Sequence, residues 1–569
     1  MNKGKYSSSK HNLLLSLAIN AVLLGVFLCL FTPYYQSNDD FVLSCFVNGA
    51  ISEKSARMVY INMIIGALLK GLYTLIPSVS WYALMQYAII FAGFTVMTWI
   101  LLQRWERIPA MALSVGIISI FGMDAYIVVQ YTKTTAIATV SGVMLMLYSL
   151  GMEKGTKSRR VSMTSGITLA LLGGMYRYYE FLAAGAAMCW IIIDPLTEAI
   201  KHGNDLKEKL HRAFETVRPF ILLLLLFGAV RAIDSAAYRD PEWADYIDYN
   251  KARTSVMDHG TPSYDLFEEE YAALGISENF YQRMNFWDFY DPDKFDAETF
   301  YKIAALRGER KLIGGDTTII DFFPICVPIL IRELCFAGLA LAAAVWLLFG
   351  RHDLRSVISI ALSVVTCLCI YIYFFFSDRF GIYWADYGIT LALTGVVLWY
   401  ISGGKPHKWQ ARTAAILILT LAIQYVYMTR WVDSFTFCRD NEENIAAQSK
   451  TIQMLVDDGH LMLSDVSILM NTVFYTHQPV FRQAIPESLD KIVTMGGWYI
   501  TPTIVNNLSH YGIRNPYKDA VNNPDVYMIT GEIDLLLSCM REYNPSAEAT
   551  LIEPLSSQTG MSIYSITAD

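Results

Sequence analysis

Apolar residues arrive along this chain in long runs, each broken by a short polar turn. Runs of about 17–25 residues are the length that crosses a bilayer core as a helix. The first is Leu13–Phe31. Others lie at about 81–102, 108–123, 134–150, 161–176, 178–193, 217–233, 324–349, 355–376, 384–402 and 412–430. The pattern predicts eleven spans and no internal repeat. One further stretch is amphipathic. From Ala56 to Leu75 the apolar positions Met58, Ile61, Ile65, Leu68, Leu69 and Leu72 recur at helical spacing, with Arg57, Asn62 and Lys70 between them. This predicts a helix lying in the interface, within a first loop over 33–80. As a span it would put Lys70 and Asn62 at costly depth.

Two pieces fall outside the apolar pattern. The loop 234–323 is rich in aromatics and acids, with short helices expected in Asp265–Leu274 and Ala297–Leu306. The tail 431–569 mixes a helical stretch, Asn441–Val456, with strand-like runs. These are Leu461–Leu463, Val526–Ile529, Thr550–Ile552 and Met561–Ile566. Asp457-Asp458-Gly459, Gly496-Gly497 and Asn522-Asn523-Pro524 punctuate them. The division expected is a membrane module over 1–430 and a small α/β domain over 431–569.

Composition agrees with a helical polytopic membrane protein. Of 569 residues, 54% are hydrophobic and 17% charged, with mean hydropathy +0.34. A net charge of −8 gives no basic footprint, so nucleic acid is not an expected partner. Lys and Arg number 19 in the segments assigned to the cytoplasm and 6 in the short outer segments. That bias puts the N-terminus inside and the tail outside. Making 56–75 a span would reverse it. So would fusing 161–193 into one span, despite Arg177 and Glu180 within it. Lys3, Lys5 and Lys10 before the first run resemble a signal peptide. The run is too long, however, and no small-residue cleavage site follows, so an uncleaved first span is expected. Nine scattered cysteines show no metal-ligand spacing, and Cys438 and Cys539 could pair.

With this topology, ionisable groups gather at the outer ends of the spans. The first loop carries Asn38-Asp39-Asp40-Phe41. The next outer turns carry Asp124, Lys133, Arg177, Tyr178 and Glu180, and later ones Arg231, Arg379 and Asp386. Charges at this depth are costly and point to function. A carboxylate there can take a proton from an acceptor hydroxyl. Arg and Lys can hold a departing phosphate. Each group also has a plain structural reading. The acids can be solvated loop residues, Arg177 and Glu180 an ion pair, and Lys133 a snorkelling cation. Asp124 can be a helix cap, and Arg379 a partner of Asp378 or Asp386. No glycine-rich nucleotide loop, HExxH or paired CxxC is present, which disfavours a cytoplasmic nucleotide-sugar enzyme.

The chain resembles the GT-C superfamily of integral-membrane glycosyltransferases, which includes protein O-mannosyltransferases and oligosaccharyltransferases. The resemblance rests on the layout of residues 1–430. A short N-terminus and first span lead to Asn38-Asp39-Asp40-Phe41, the interfacial helix Ala56–Leu75, many spans, an outer loop bearing Arg379 and an outer tail. It implies a polyprenyl-phosphate-linked sugar as donor and Asp39 or Asp40 as base. Arg379, Lys133 and Arg177 become phosphate contacts, with Asp124, Glu180, Tyr178 and Arg231 as further site candidates. Some members need a divalent metal and others do not; no metal ligand is assigned here. The expected partners are membrane lipid, the lipid-linked sugar and a glycan, lipid or protein acceptor, at a bacterial plasma membrane. Rival readings are a flippase for lipid-linked sugars and a non-catalytic envelope-binding protein. The absence of repeats and the outer position of the ionisable groups favour the enzyme.

Overall fold

The computed structural model describes residues 9–309, 318–377, 379–401, 409–466, 478–481, 489–554 and 561–569. Lys3, Lys5 and Asp378 lie outside them. The chain is a multi-pass helical membrane protein. Nine helices among the described residues are long and apolar enough to cross a bilayer. They are α1 (Ser9–Leu30), α4 (Trp81–Arg104), α5 (Arg107–Ile127), α6 (Tyr131–Leu150), α8 (Tyr178–Lys201), α9 (Leu206–Ala237), α13 (Leu354–Phe376), α14 (Tyr383–Ile401) and α15 (Trp409–Asp440). Between α1 and α4 lie α2 (Asn38–Asn48) and α3 (Met63–Leu75).

Two expected spans differ from the pattern. The run at 324–349 is a pair of helices, α11 (Ile319–Arg332) and α12 (Leu334–Phe349), bent by 89° at Glu333. Pro324 and Pro328 lie inside α11, and Glu333 takes an extended conformation. Counting the pair as one span gives ten. The eleventh expected span, 161–176, falls in α7 (Lys157–Tyr176), whose first turn holds Lys157, Arg159 and Arg160. It is not apolar enough by composition, but it runs antiparallel against α6. A Cβ at Gly142 would sit 2.6 Å from the Ala170 nitrogen and 2.7 Å from the Gly166 carbonyl. Contacts this close need glycine, and small residues are how helices approach inside a membrane.

The interfacial helix is shorter than expected. Residues 56–62 are irregular, and α3 begins only at Met63. Asn62 is held instead by tertiary bonds. Its N–H donates to the Met175 carbonyl at 2.8 Å and its amide to that of Val230 at 3.0 Å. Its side-chain oxygen caps the Ile64 N–H.

The two pieces expected on the outer side share one packed body. Its first part is α10 (Pro241–Met257) with the short helices Glu268–Ala273, Glu278–Asn285 and Ala297–Glu309. The tail follows α15, which runs unbroken past the expected boundary at 430 to Asp440; α16 (Glu442–Asp458) comes next. Five strands follow: β3 (Leu461–Ser464), β4 (Ile492–Thr494), β5 (Val526–Thr530), β6 (Glu548–Pro554) and β7 (Ser562–Thr567). They form a mixed sheet in the order β4-β3-β5-β7-β6. β4 was not expected; at three residues it is too short to show a period. Arg283 of the outer loop is fully buried against this sheet, 2.7 Å from Asp465 and 3.3 Å from Asp288. Cys438 and Cys539 are both buried and share no disulfide, so the expected pairing is not formed.

The tail also docks on the first loop. β1 (Tyr34–Tyr35) pairs in parallel with β2 (Val128–Val129), and Tyr34 bridges to Pro479. The Tyr35 N–H donates to the Gln478 carbonyl and the Val480 N–H to that of Pro33. The backbone leading into α2 is therefore fixed from both sides.

Replacing Arg283 by Ala leaves Asp465 and Asp288 buried without their cation, a change expected to cost about 3–5 kcal/mol. Limited proteolysis of purified R283A should cut the outer body much faster than wild type while the membrane core stays intact. Equal cleavage rates would contradict this role.

Candidate functional site

The site forms where α2 leaves the first loop. Ser37 is extended, so Asp39 and Asp40 occupy the first turn of α2, where the helix dipole favours acids. Adjacent helical residues point about 100° apart. The two acids therefore meet different surroundings.

Asp40 turns into the bundle and is fully buried. Its Oδ1 accepts from Tyr82 Oη at 2.8 Å, Gln86 Nε2 at 3.0 Å and the Tyr131 N–H at 3.2 Å. Its other oxygen is buried without a hydrogen bond. Burial pushes its carboxyl up to about 8, against the pull of the Tyr82 and Gln86 donors. Burial favours its neutral form, and its bonds serve the packing of α2 on the bundle.

Asp39 faces the outer body and stays partly accessible. Trp498, from the Gly496-Gly497-Trp498-Tyr499 turn after β4, donates its indole N–H to Asp39 Oδ1 at 2.8 Å. Burial raises the Asp39 carboxyl above the ordinary range; the Arg177 guanidinium and the Trp498 donor pull it back. Trp498 is itself placed by its neighbours. Tyr246 Oη donates to its carbonyl, and its ring packs on Tyr60 at 4.7 Å. Gly496 lies so close to the Trp287 carbonyl that a Cβ would come within 1.9 Å.

Two arginines act on this carboxylate, and a third joins them through Asp258. Arg177 sits at the junction of α7 and α8 and donates to Tyr131 Oη at 2.8 Å. Its guanidinium lies 5.2 Å over the Tyr60 ring. Arg253 of α10 is buried, 5.3 Å over Trp287 and 3.4 Å from Asp258. Arg379, on the loop before α14, lies 3.2 Å from the other Asp258 oxygen. The backbone of that loop is tied to His259, whose Nδ1 meets the Ser377 carbonyl at 2.6 Å. Arg177, Arg253 and Asp258 all act electrostatically on Asp39. Counting Arg379, three guanidinia face two carboxylates, an excess of positive charge suited to a phosphate.

The remaining expected residues lie elsewhere. Lys133 and Asp124 form a buried ion pair at 3.0 Å, with Tyr383 Oη donating to Asp124 and Lys133 Nζ to the Val128 carbonyl. This closed cluster locks β2 to α6 and presents no free cation. Glu180 is buried against α14, where Gly388 leaves room; a Cβ there would sit 1.7 Å from its Oε1. Asp386 is buried nearby without hydrogen bonds. Tyr178 and Arg231 form a stack at 4.6 Å at the start of α3, where Arg231 pairs with Asp234. Of the expected set, Asp39, Arg177 and Arg379 come together. Arg253, Asp258, Tyr60 and Trp498 were missed. Only Trp498 had a local signal, in its paired glycines.

No group of three or more His, Cys, Asp or Glu side chains among the described residues could hold a metal ion. Asp258, the second acid of the cluster, is already bonded to two guanidinia. These donors do not fit a divalent metal.

No family model and no curated protein matches the chain. Solved structures similar to it include ArnT from Cupriavidus metallidurans bound to undecaprenyl phosphate, at 11% identity and a TM-score of 0.39, covering 98% of each chain. Another is the Archaeoglobus fulgidus oligosaccharyltransferase in its apo form. It is 11% identical with a TM-score of 0.41, over 99% of this chain and 74% of that one. Likeness at this level assigns no reaction.

The buried Asp40 gives a stability test. Its folded carboxyl lies near 8 and its unfolded one near 3.8, so the folded state holds the extra proton between these values. Stability from this group is present below about pH 4 and is lost as pH rises toward 8. Asn keeps the Oδ1 acceptor without the charge. The melting temperature of D40N should therefore fall less than wild type between pH 4 and 8. Parallel curves would contradict the assignment.

Proposed function

We propose that this protein is a GT-C-like, inverting glycosyltransferase that works at the outer face of a bacterial plasma membrane. It moves a sugar from a polyprenyl-phosphate-linked donor to a hydroxyl of a cell-surface polysaccharide, teichoic acid, lipid or protein. In this reading the N-terminus is cytoplasmic and the outer body extracytoplasmic. The observation that carries it is the pairing of one accessible carboxylate, Asp39, with the Arg177, Arg253 and Arg379 cluster.

Asp39 takes the proton of the acceptor hydroxyl as its oxygen bonds to the anomeric carbon from the face opposite the phosphate. The anomeric carbon–oxygen bond breaks, and its electron pair leaves on the phosphate oxygen. The arginines stabilise that growing charge in surroundings largely shielded from water. Trp498 holds the carboxylate in orientation through one oxygen. That bond occupies Oδ1 and leaves Oδ2 to take the proton.

Removing the base should cost about 10²–10⁴-fold in rate. Cells carrying D39N in place of wild type, with normal membrane levels, should lose the surface glycan made by this enzyme. Cells carrying D40N should keep it. Full glycosylation with D39N would sink the assignment.

A further inference from the structure

A polar cavity whose lining shares no residue with the Asp39 site opens at the membrane rim. It has a volume of about 540 Å³ and is lined by Arg332, Glu333, Arg430, Trp431 and Ser434. It lies between the α11–α12 break and α15. Its level in the bilayer follows from α1: Tyr34, four residues past the end of that span, donates to the Ser434 carbonyl at 2.5 Å. Arg430 sits one turn of α15 closer to the membrane. Trp431 stacks 5.0 Å from Tyr383, which bonds to Asp124 of the closed Lys133 pair.

Arg332 and Arg430 are both exposed, and neither is in an ion pair among the described residues. Apolar side chains flank them on the lipid side: Ile329 and Ile331 of α11, and Tyr425, Val426 and Val432 of α15, are all exposed. Two free guanidinia between apolar helix faces, beside an interfacial Trp, fit a phosphodiester whose acyl chains run down those faces. The floor is more selective. Glu333 Oε2 is buried without a hydrogen-bond partner. A buried acceptor of this kind calls for a donor. A glycerol hydroxyl or an ethanolamine ammonium supplies one; choline has none.

We propose that this cavity binds one bilayer phospholipid whose headgroup carries a hydrogen-bond donor. Its phosphate lies on Arg332 and Arg430, and its headgroup reaches Glu333. Because Glu333 is the residue at the 89° break, the lipid braces the bend between α11 and α12.

The test uses the purified full-length protein, delipidated in detergent, with lipids added back and binding read by native mass spectrometry. Phosphatidylethanolamine and phosphatidylglycerol should bind, and phosphatidylcholine should bind much less. The double variant R332Q/R430Q should bind the first two about tenfold more weakly, the loss of one charge-assisted contact or more. E333A should lose the preference over phosphatidylcholine. Unchanged binding by R332Q/R430Q, or equal binding of all three lipids to wild type, would overturn the proposal. So would a double variant that keeps phospholipid binding but no longer binds polyprenyl phosphate, since that places the donor's phosphate here.

Discussion

The hydrogen bond from Trp498 to Asp39 joins parts of the chain that are 459 residues apart. It closes the outer body onto the first membrane loop, and the rest of the site follows from that closure. The tail reaches the loop through backbone bonds at Pro33, Tyr35 and Ala50. The loop 234–309 reaches the tail through the buried Arg283 network and the contact of Gly496 with Trp287. Only with both seated does Arg253 come beside Asp39, and only then does Asp258 find Arg379. Strained backbone accompanies the closure. Val59 and Trp287 take φ values of 63° and 70°, which side chains of their size rarely adopt. Each neighbours a ring of the site, so packing outweighs that local cost.

Two adjacent acids meet different surroundings because one helical step separates them. Asp40 is enclosed by Tyr82, Gln86 and the Tyr131 backbone and serves the packing of α2 on the bundle. Asp39 keeps access to solvent and a cluster of cations. The same contrast separates the arginines from Lys133. Lys133 is held in a dry pair with Asp124, where separation would leave two buried charges, whereas Arg177 is bonded to a phenol and stacked on rings. A guanidinium held that way keeps donors for a ligand.

Much of the membrane module was legible because a bilayer enforces run length. The spans and the irregularity around Arg177 follow from apolar periodicity. α7 was legible as a helix, but its polar first turn hides how closely its glycines pack on α6. The bend at Glu333 was hidden because Pro324 and Pro328 sit inside a run that still reads as apolar. The choice between Asp39 and Asp40 needed the partners of each, and those come from distant segments. Arg253 and Asp258 carry no local mark of function and Trp498 only its paired glycines; their meaning arises when α10 and the turn after β4 converge on α2.

The central claim is that Asp39, tuned by Trp498, accepts the acceptor's proton. The most direct measurement is the pH dependence of polyprenyl-phosphate release by wild type and Trp498→Phe with a lipid-linked sugar donor. Burial holds the Asp39 carboxyl above its ordinary range, so activity should be lost as pH falls through that raised value. The Trp498 donor lowers it. Without that donor the acid limb should move to higher pH while the rate at high pH changes less. Superimposable profiles, or a limb that moves to lower pH, would contradict the account.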